Sequence, residues 1–174
     1  MLEAKVKYID PEMKENPELH LRHIGGDEHS NWIDVRASVV EVNGKIEPWK
    51  PVVDPKTGKV TYSVSYPEGA YIRVFLGFAM ELPKGHEAIV GPRGGTFKNF
   101  GIIQTNSKGV VDESFKGDGD QWFVPFWSLR DGTINKHDRV AQFRIQEKMP
   151  KLNLTVVDVL GNDDRGGHSS TGVK

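Results

Sequence analysis

The chain has 174 residues, 23 Lys and Arg against 24 Asp and Glu for a formal net charge of −1, and no cysteine. This length suits one domain spanning residues 1–174 with its own core, and the absence of thiols excludes disulfides, thiolate metal sites and thiol nucleophiles. A balanced charge gathers no nucleic acid and the longest apolar runs are too short to span a bilayer, so neither partner is expected and the cytoplasm is the default.

Nineteen glycines and ten prolines punctuate short β-branched and aromatic stretches. That pattern predicts an all-β fold. Residues 1–9 alternate, with Ala4, Val6 and Tyr8 on one face, as a half-buried first strand should. Pro11 and Pro17 then bracket a segment read as irregular, which leads to His20, His23 and His29. His20-x-x-His23 lacks a third ligand at a recognised spacing and reads as solvated rather than metal-binding. From Asn31 a second strand carries Ile33, Val35, Ala37 and Val39 on one side and Asp34 on the other. Turn residues from Asn43-Gly44 to Pro67-Glu68-Gly69 flank an alternating run at 60–64, so residues 43–69 read as a surface hairpin inserted into the fold.

Residues 88–100 read as a strand, a Gly94-Gly95 pair and one helical turn. Paired glycines let backbone N–H groups approach an anion closely, and Arg93 adds a charged fork beside them. Residues 101–117 read as a hairpin that turns at Ser107-Lys108-Gly109 and presents Asp112. A carboxylate held there can take a proton from water, though a solvated turn aspartate has the same local pattern. Gly117-Asp118-Gly119-Asp120 lacks the later ligands of a calcium loop and reads as a turn, and residues 122–127 form an aromatic strand. In residues 139–145 period two puts Val140, Gln142 and Arg144 on one face and Ala141, Phe143 and Ile145 on the other. A last strand is expected at about 152–160. Residues 161–174 are Gly- and Ser-rich, which fits a flexible arm, and Arg165 with Ser169, Ser170 and Thr171 also fits a segment that folds onto phosphates.

Together these stretches resemble, in order, the five signature motifs of the trimeric dUTP pyrophosphatases (dUTPases). Asp34 stands in the first, Pro92-Arg93-Gly94-Gly95 in the second, and Asn106-x-x-Gly109-x-x-Asp112-x-x-Phe115-x-Gly117 in the third. Asp138-Arg139-Val140-Ala141-Gln142 is similar to the fourth, and Arg165 through Gly172 to a shortened fifth. The likeness covers residues 31–36 and 76–174 and looks nearest to the Gram-positive bacterial and phage branch.

The resemblance implies a jelly-roll β-barrel assembled as a homotrimer with exchanged C-terminal arms. It implies a bacterial or phage-infected cytoplasm and dUTP hydrolysis to dUMP and pyrophosphate, limiting uracil in DNA and supplying dUMP for dTMP synthesis. Asp112 would activate the water with Gln142 near the catalytic centre, and Arg93, Arg139, Arg165, Ser170 and Thr171, with the backbone of Gly94 and Gly95, would hold the triphosphate. Asn106, Gly109, Val111 and Phe115 would select deoxyuridine. Asp34 would act through water on a Mg²⁺ held mainly by phosphates. His168, Trp122 or Phe123 would cover the base. Gly94 departs from the family's serine, which leaves two alternatives: a catalytically weakened dUTP-binding or regulatory paralogue, and a pyrimidine triphosphate pyrophosphatase of relaxed base choice.

Overall fold

β-Branched and aromatic residues at alternate positions favour short pleated strands whose inward side chains meet in one core. The computed structural model describes residues 2–25 and 29–164. Its strands run β1 (Lys5–Tyr8), β2 (Ile33–Arg36), β3 (Val39–Val42), β4 (Lys45–Glu47), β5 (Lys50–Val53), β6 (Val60–Tyr66) and β7 (Tyr71–Phe75). They continue as β8 (Phe78–Glu81), β9 (His86–Pro92), β10 (Ile102–Gln104), β11 (Gly109–Asp112), β12 (Phe123–Ser128), β13 (Gly132–Asn135) and β14 (Arg139–Glu147). Two short helices, α1 (Pro11–Glu15) and α2 (Thr96–Phe100), interrupt them. The fold is therefore all-β, as expected.

The sheets have the orders β10-β12-β7-β3-β4, β11-β9-β14-β2, β13-β6-β5 and β1-β8. Phe78, Trp122 and Phe143 lie between them, at most 1% exposed, with the Trp122 ring 5.1 Å from Phe78 and 5.2 Å from Phe143. Tilted and edge-on contacts of this kind add to area burial. On the flank of the five-stranded sheet Glu41 faces Arg73 across β3 and β7. Arg73 donates to both carboxylate oxygens, so this buried acid is paired.

Several local expectations change. Asp10-Pro11 and Asn16-Pro17 do not bracket irregular chain: each Asx caps a helical turn with proline in its first turn, α1 and a 3-10 turn at Pro17–Leu19. Strand β1 pairs only with β8, and of its residues only Tyr8 is half-buried. Strands β10 and β11 do not form a hairpin together: β10 bonds to β12 and β11 to β9, so the turn at 105–108 is a corner between two sheets. In β14 a bulge between Arg139 and Ala141 breaks the alternation and turns Val140 into the core beside Ala141.

Residues 43–69 are integral at one end and free at the other. Asn43 and Gly44, with φ of 50° and 84°, turn β3 into β4. The β5–β6 hairpin leaves Val52, Val53, Val60 and Tyr62 exposed, while Val64 and Tyr66 of β6 enter the core and pair with β13. The strand expected at 152–160 is not formed: residues 148–164 run outside the sheets with Leu152, Leu154, Val156 and Val159 exposed. The Lys148 amide donates to the Gly85 carbonyl at 3.0 Å, and beyond it, among the described residues, the segment joins no strand ladder. Among the described residues no helix is long and apolar enough to cross a membrane.

Candidate active site

Asp34 on β2 lies opposite Gln142 on β14, which lies opposite Gly91 on β9. This row of three strands gathers the first, second and fourth motif segments. Arg93 Nε donates to Asp34 Oδ1 at 2.7 Å, and an Arg139 terminal nitrogen donates to Oδ2 at 3.1 Å. The Asp34 side chain is 11% exposed, so its charge is compensated by both guanidinia where water reaches poorly. The Gln142 amide donates to the Pro92 carbonyl at 3.0 Å and ties β14 to the end of β9.

The Gly94-Gly95 turn opens α2. Thr96 Oγ1 accepts from the Arg93 amide at 2.9 Å and donates to the Val140 carbonyl at 3.0 Å, so this hydroxyl is already engaged and cannot stand in for a serine at 94. Nothing lies within 4 Å of where a Cβ on Gly94 would stand. The turn therefore exposes its backbone amides to an incoming anion.

The second cluster is at the sheet corner. A cavity of about 320 Å³ is lined by Asn106, Gly109, Val111, Asp112, Phe115 and Phe123, with Trp122 as its wall. Trp122 is 1% exposed within the core, so it cannot act as a movable cover; Phe115 and Phe123, 38% and 42% exposed, remain at the opening. Asn106 Oδ1 accepts from Gln104 Nε2 at 2.8 Å, and the same Gln104 amide donates to the Val90 carbonyl at 3.1 Å. Asp112 ends β11. The Ser114 hydroxyl and amide hold its carboxyl below the usual carboxylate range, the amide at 2.6 Å, so it is ionised near neutrality. Glu113 beside it accepts from Lys148 and from the Gly85 amide, pinning the outgoing chain.

One strand relates the clusters. Asp112 lies opposite Glu87 on β9, and Pro92 at the other end of β9 lies opposite Ala141. Six residues from Glu87 to Arg93 at ~3.4 Å each separate the Asp112 and Arg93 backbones by roughly 20 Å. A single chain thus gathers Asn106, Gly109, Val111, Asp112 and Phe115 on one flank of β9, and Asp34, Arg93, Gly94, Gly95, Arg139 and Gln142 at its end and other flank; Gly109 opposite Val90 and Gln142 opposite Gly91 are the near edges of the two groups, and Asp112 and Arg93 the far ones. Arg165, His168, Ser170 and Thr171 lie outside the described residues.

Sequence reasoning missed Gln104, Arg36 and Glu113. Gln104 stands half-buried after two isoleucines, a weak signal of a polar brace; Arg36 and Glu113 read as ordinary surface charges. His20 and His23 do not share a helix face: His20 stacks on Tyr8 at 4.5 Å and His23 Nδ1 donates to the Ser30 carbonyl. Among the described residues no three His, Asp or Glu side chains gather as metal ligands. Asp34 accepts one hydrogen bond per oxygen and keeps a lone pair on each. This fits a hard cation reached through water whose remaining ligands come from a phosphate chain.

A cationic row at the mouth of one strand and a small cavity beside a carboxylate at its far end define an all-β protein built to handle a compact anionic ligand. A family model described as dUTPase matches residues 59–172, and the chain belongs to the dUTPase family. The SPbeta prophage-derived deoxyuridine 5'-triphosphate nucleotidohydrolase YosS of Bacillus subtilis is 46% identical over 173 residues, covering 99% of this chain and 100% of that protein. The deoxyuridine 5'-triphosphate nucleotidohydrolase of Neorickettsia sennetsu is 35% identical over 114 residues, covering 64% and 75% of the two chains. Among solved structures, a mutant dUTPase of Staphylococcus bacteriophage 80alpha with dUpNHpp aligns with a TM-score of 0.61 at 13% identity over 98% of this chain and 99% of that one. The Streptococcus mutans dUTPase aligns at 0.59 and 14% identity, covering 85% and 98%. These likenesses identify the fold as the dUTPase jelly roll, and they favour neither alternative reading of Gly94.

Proposed function

We propose that the chain hydrolyses dUTP to dUMP and pyrophosphate in a homotrimer whose sites are shared between subunits. The observation that carries this reading is the ~20 Å of β9 between Asp112 and Arg93. Such a spacing holds the Asp112 carboxylate far from the Arg93 guanidinium of the same chain unless a second copy supplies the missing half. Closed symmetry with the apolar segment 149–160 laid on a neighbour would also cover Leu152, Leu154 and Val156.

In the assembled site Asn106 and the backbone of Gly109 and Val111 pair with the uracil edge, and the Phe115 ring packs on the deoxyribose, leaving no room for a 2′-hydroxyl. Asp112 draws a proton from a water that attacks the α-phosphorus in line; the bond to the bridging oxygen breaks and pyrophosphate leaves. A neighbour that desolvates Asp112 raises its low pKa toward the range of an effective base. Arg93, Arg139 and the amides of Gly94 and Gly95 hold the phosphates, with Gln142 near the reacting centre. Arg165, Ser170 and Thr171 of an exchanged arm add contacts and His168 stacks over the base. Asp34 would hold, through water, a Mg²⁺ carried by the phosphates, which would supply charge neutralisation. In a bacterial or phage-infected cytoplasm this reaction keeps uracil out of DNA and feeds dTMP synthesis.

The test is pyrophosphate release from each deoxynucleoside triphosphate with Mg²⁺. Turnover of dUTP alone supports the reading; comparable turnover of dTTP, or tight dUTP binding without turnover, overturns it. Mixed assemblies of an Asp112→Asn chain and a chain truncated after Gly161, each inactive alone, should regain activity, and no recovery despite proven mixing rejects shared sites.

A further inference from the structure

Beside the Asp34 cluster is a second cavity, of about 440 Å³, that none of these roles uses. His20, Arg22, His23, Asp34, Arg36 and Arg139 line it. Its chemistry is lopsided: three guanidinia and two imidazoles face one carboxylate among the described lining residues. That carboxylate already accepts from Arg93 and Arg139.

Among the described residues the remaining cations are poorly matched by acids. There Arg22 pairs with Glu18 alone, at 3.4 Å between side chains that are 63% and 79% exposed, a contact of little strength. Arg36 donates to the His137 carbonyl at 3.0 Å. The wall is fixed rather than loose: the His20 ring stacks on Tyr8, whose hydroxyl accepts from the Leu21 amide at 2.9 Å. His20 Nε2 is buried with no hydrogen-bond partner among the described residues, a polar atom that a ligand or water would satisfy.

We propose that this cavity binds condensed phosphate, specifically inorganic pyrophosphate, with Arg22 and Arg36 as the ligating guanidinia. Forked guanidinia suit paired phosphate oxygens, and a dianion or trianion relieves the repulsion among Arg22, Arg36 and Arg139. Sharing Asp34 and Arg139 with the motif cluster makes it a station for the leaving group next to the phosphate-holding row. The identity of the anion rests on the hydrolysis proposed above.

The full-length protein is titrated with inorganic pyrophosphate by calorimetry, with orthophosphate and dUMP as comparison ligands. The same titration follows for Arg22→Gln, Arg36→Gln and Arg36→Lys, and pyrophosphate inhibition of dUTP turnover is measured alongside. Each Gln variant should weaken pyrophosphate binding about tenfold, as loss of one charge-assisted contact implies; inhibition should weaken in parallel, and dUMP affinity should stay unchanged. Pyrophosphate affinity within about twofold of the parent in folded Arg22→Gln overturns the proposal, and that exposed residue carries the test even where Arg36 variants misfold. Binding lost only on Arg93→Gln also overturns it, since the anion then sits in the motif row alone. Arg22-dependent pyrophosphate binding without any dUTP turnover upholds the cavity and refutes the proposed function instead.

Discussion

Replacing Asp10 by alanine tests how the N-terminal segment supports the active-site edge. Asp10 is 6% exposed and accepts four hydrogen bonds: from the Glu12 and Met13 amides at 2.9 and 3.2 Å, Ser38 Oγ at 2.7 Å and His137 Nε2 at 3.0 Å. It thereby joins α1, the turn into β3 and the turn into β14, where His137 adopts a left-handed φ of 63° two residues before Arg139. Loss of the helix cap costs about 1 kcal/mol, and two buried donors left without an acceptor cost ~1–3 kcal/mol more after relaxation. The sum, roughly 2–4 kcal/mol, corresponds to a fall in Tm of ~5–15 °C for a chain of this size. Urea unfolding at fixed protein concentration should show a lower midpoint at an unchanged slope, and Ser38→Ala alone should cost about 1 kcal/mol. Burial acts to raise the Asp10 pKa, but hydrogen bonds from Ser38, His137 and the Met13 amide outweigh it, and the net shift is downward. A depressed folded pKa contributes stability above the unfolded value of ~3.9 that is lost as pH falls through the folded pKa, so the gap between parent and variant should close below about pH 4. A destabilisation under about 0.5 kcal/mol at pH 7, or a gap that widens in acid, would refute the reasoning.

Gly77→Ala should destabilise by ~2–5 kcal/mol, because a Cβ there meets Met13 Sδ at 2.8 Å, Ser38 Cβ at 2.8 Å and Asp10 Cβ at 2.9 Å on a backbone with φ of +75°; calorimetry checks this. Gly94→Ser has open space and should leave Tm unchanged while raising kcat for dUTP about tenfold or more with little change in KM, as a donor that acts in the transition state does. Asp112→Asn should lower kcat by ~10²-fold or more without loss of Tm, since the side chain is exposed. Asp34→Ala should cost about 2 kcal/mol in denaturant unfolding by leaving Arg93 uncompensated, less than a fully buried pair because Arg139 is 50% exposed.

Much of this was legible in the residues. Period two in β2 and β6 and the glycine-bounded turn before α2 are local signals, and they appear where expected. The first four motif stretches picked out residues that the fold then sorts into two clusters, while the fifth lies outside the described residues. Contacts between distant segments were not legible. Nothing near Ile102 or Val110 says that β10 and β11 join different sheets, because strand pairing is decided by residues far along the chain. Val140 enters the core through a bulge, which a fixed period of two cannot express. Residues 152–160 alternate well enough to be a strand, yet hydrophobic pattern states only a readiness to pair and not that an edge is available. Asp10-Pro11 and Asn16-Pro17 carry the Asx-Pro signal of a helix start, which the same prolines mask by also reading as breaks.

Strand β9 bonds along one flank to β11 and along the other to β14, so it works as a ruler between the two halves of the site. Inserting a single residue would reverse the faces beyond it and expel Ala88 or Val90 from the interior, and two residues would lengthen the spacing by ~7 Å. Insertions and deletions that separate this chain from its kin should therefore accumulate at residues 54–59 and 113–121 and spare β9, whatever its amino acids become.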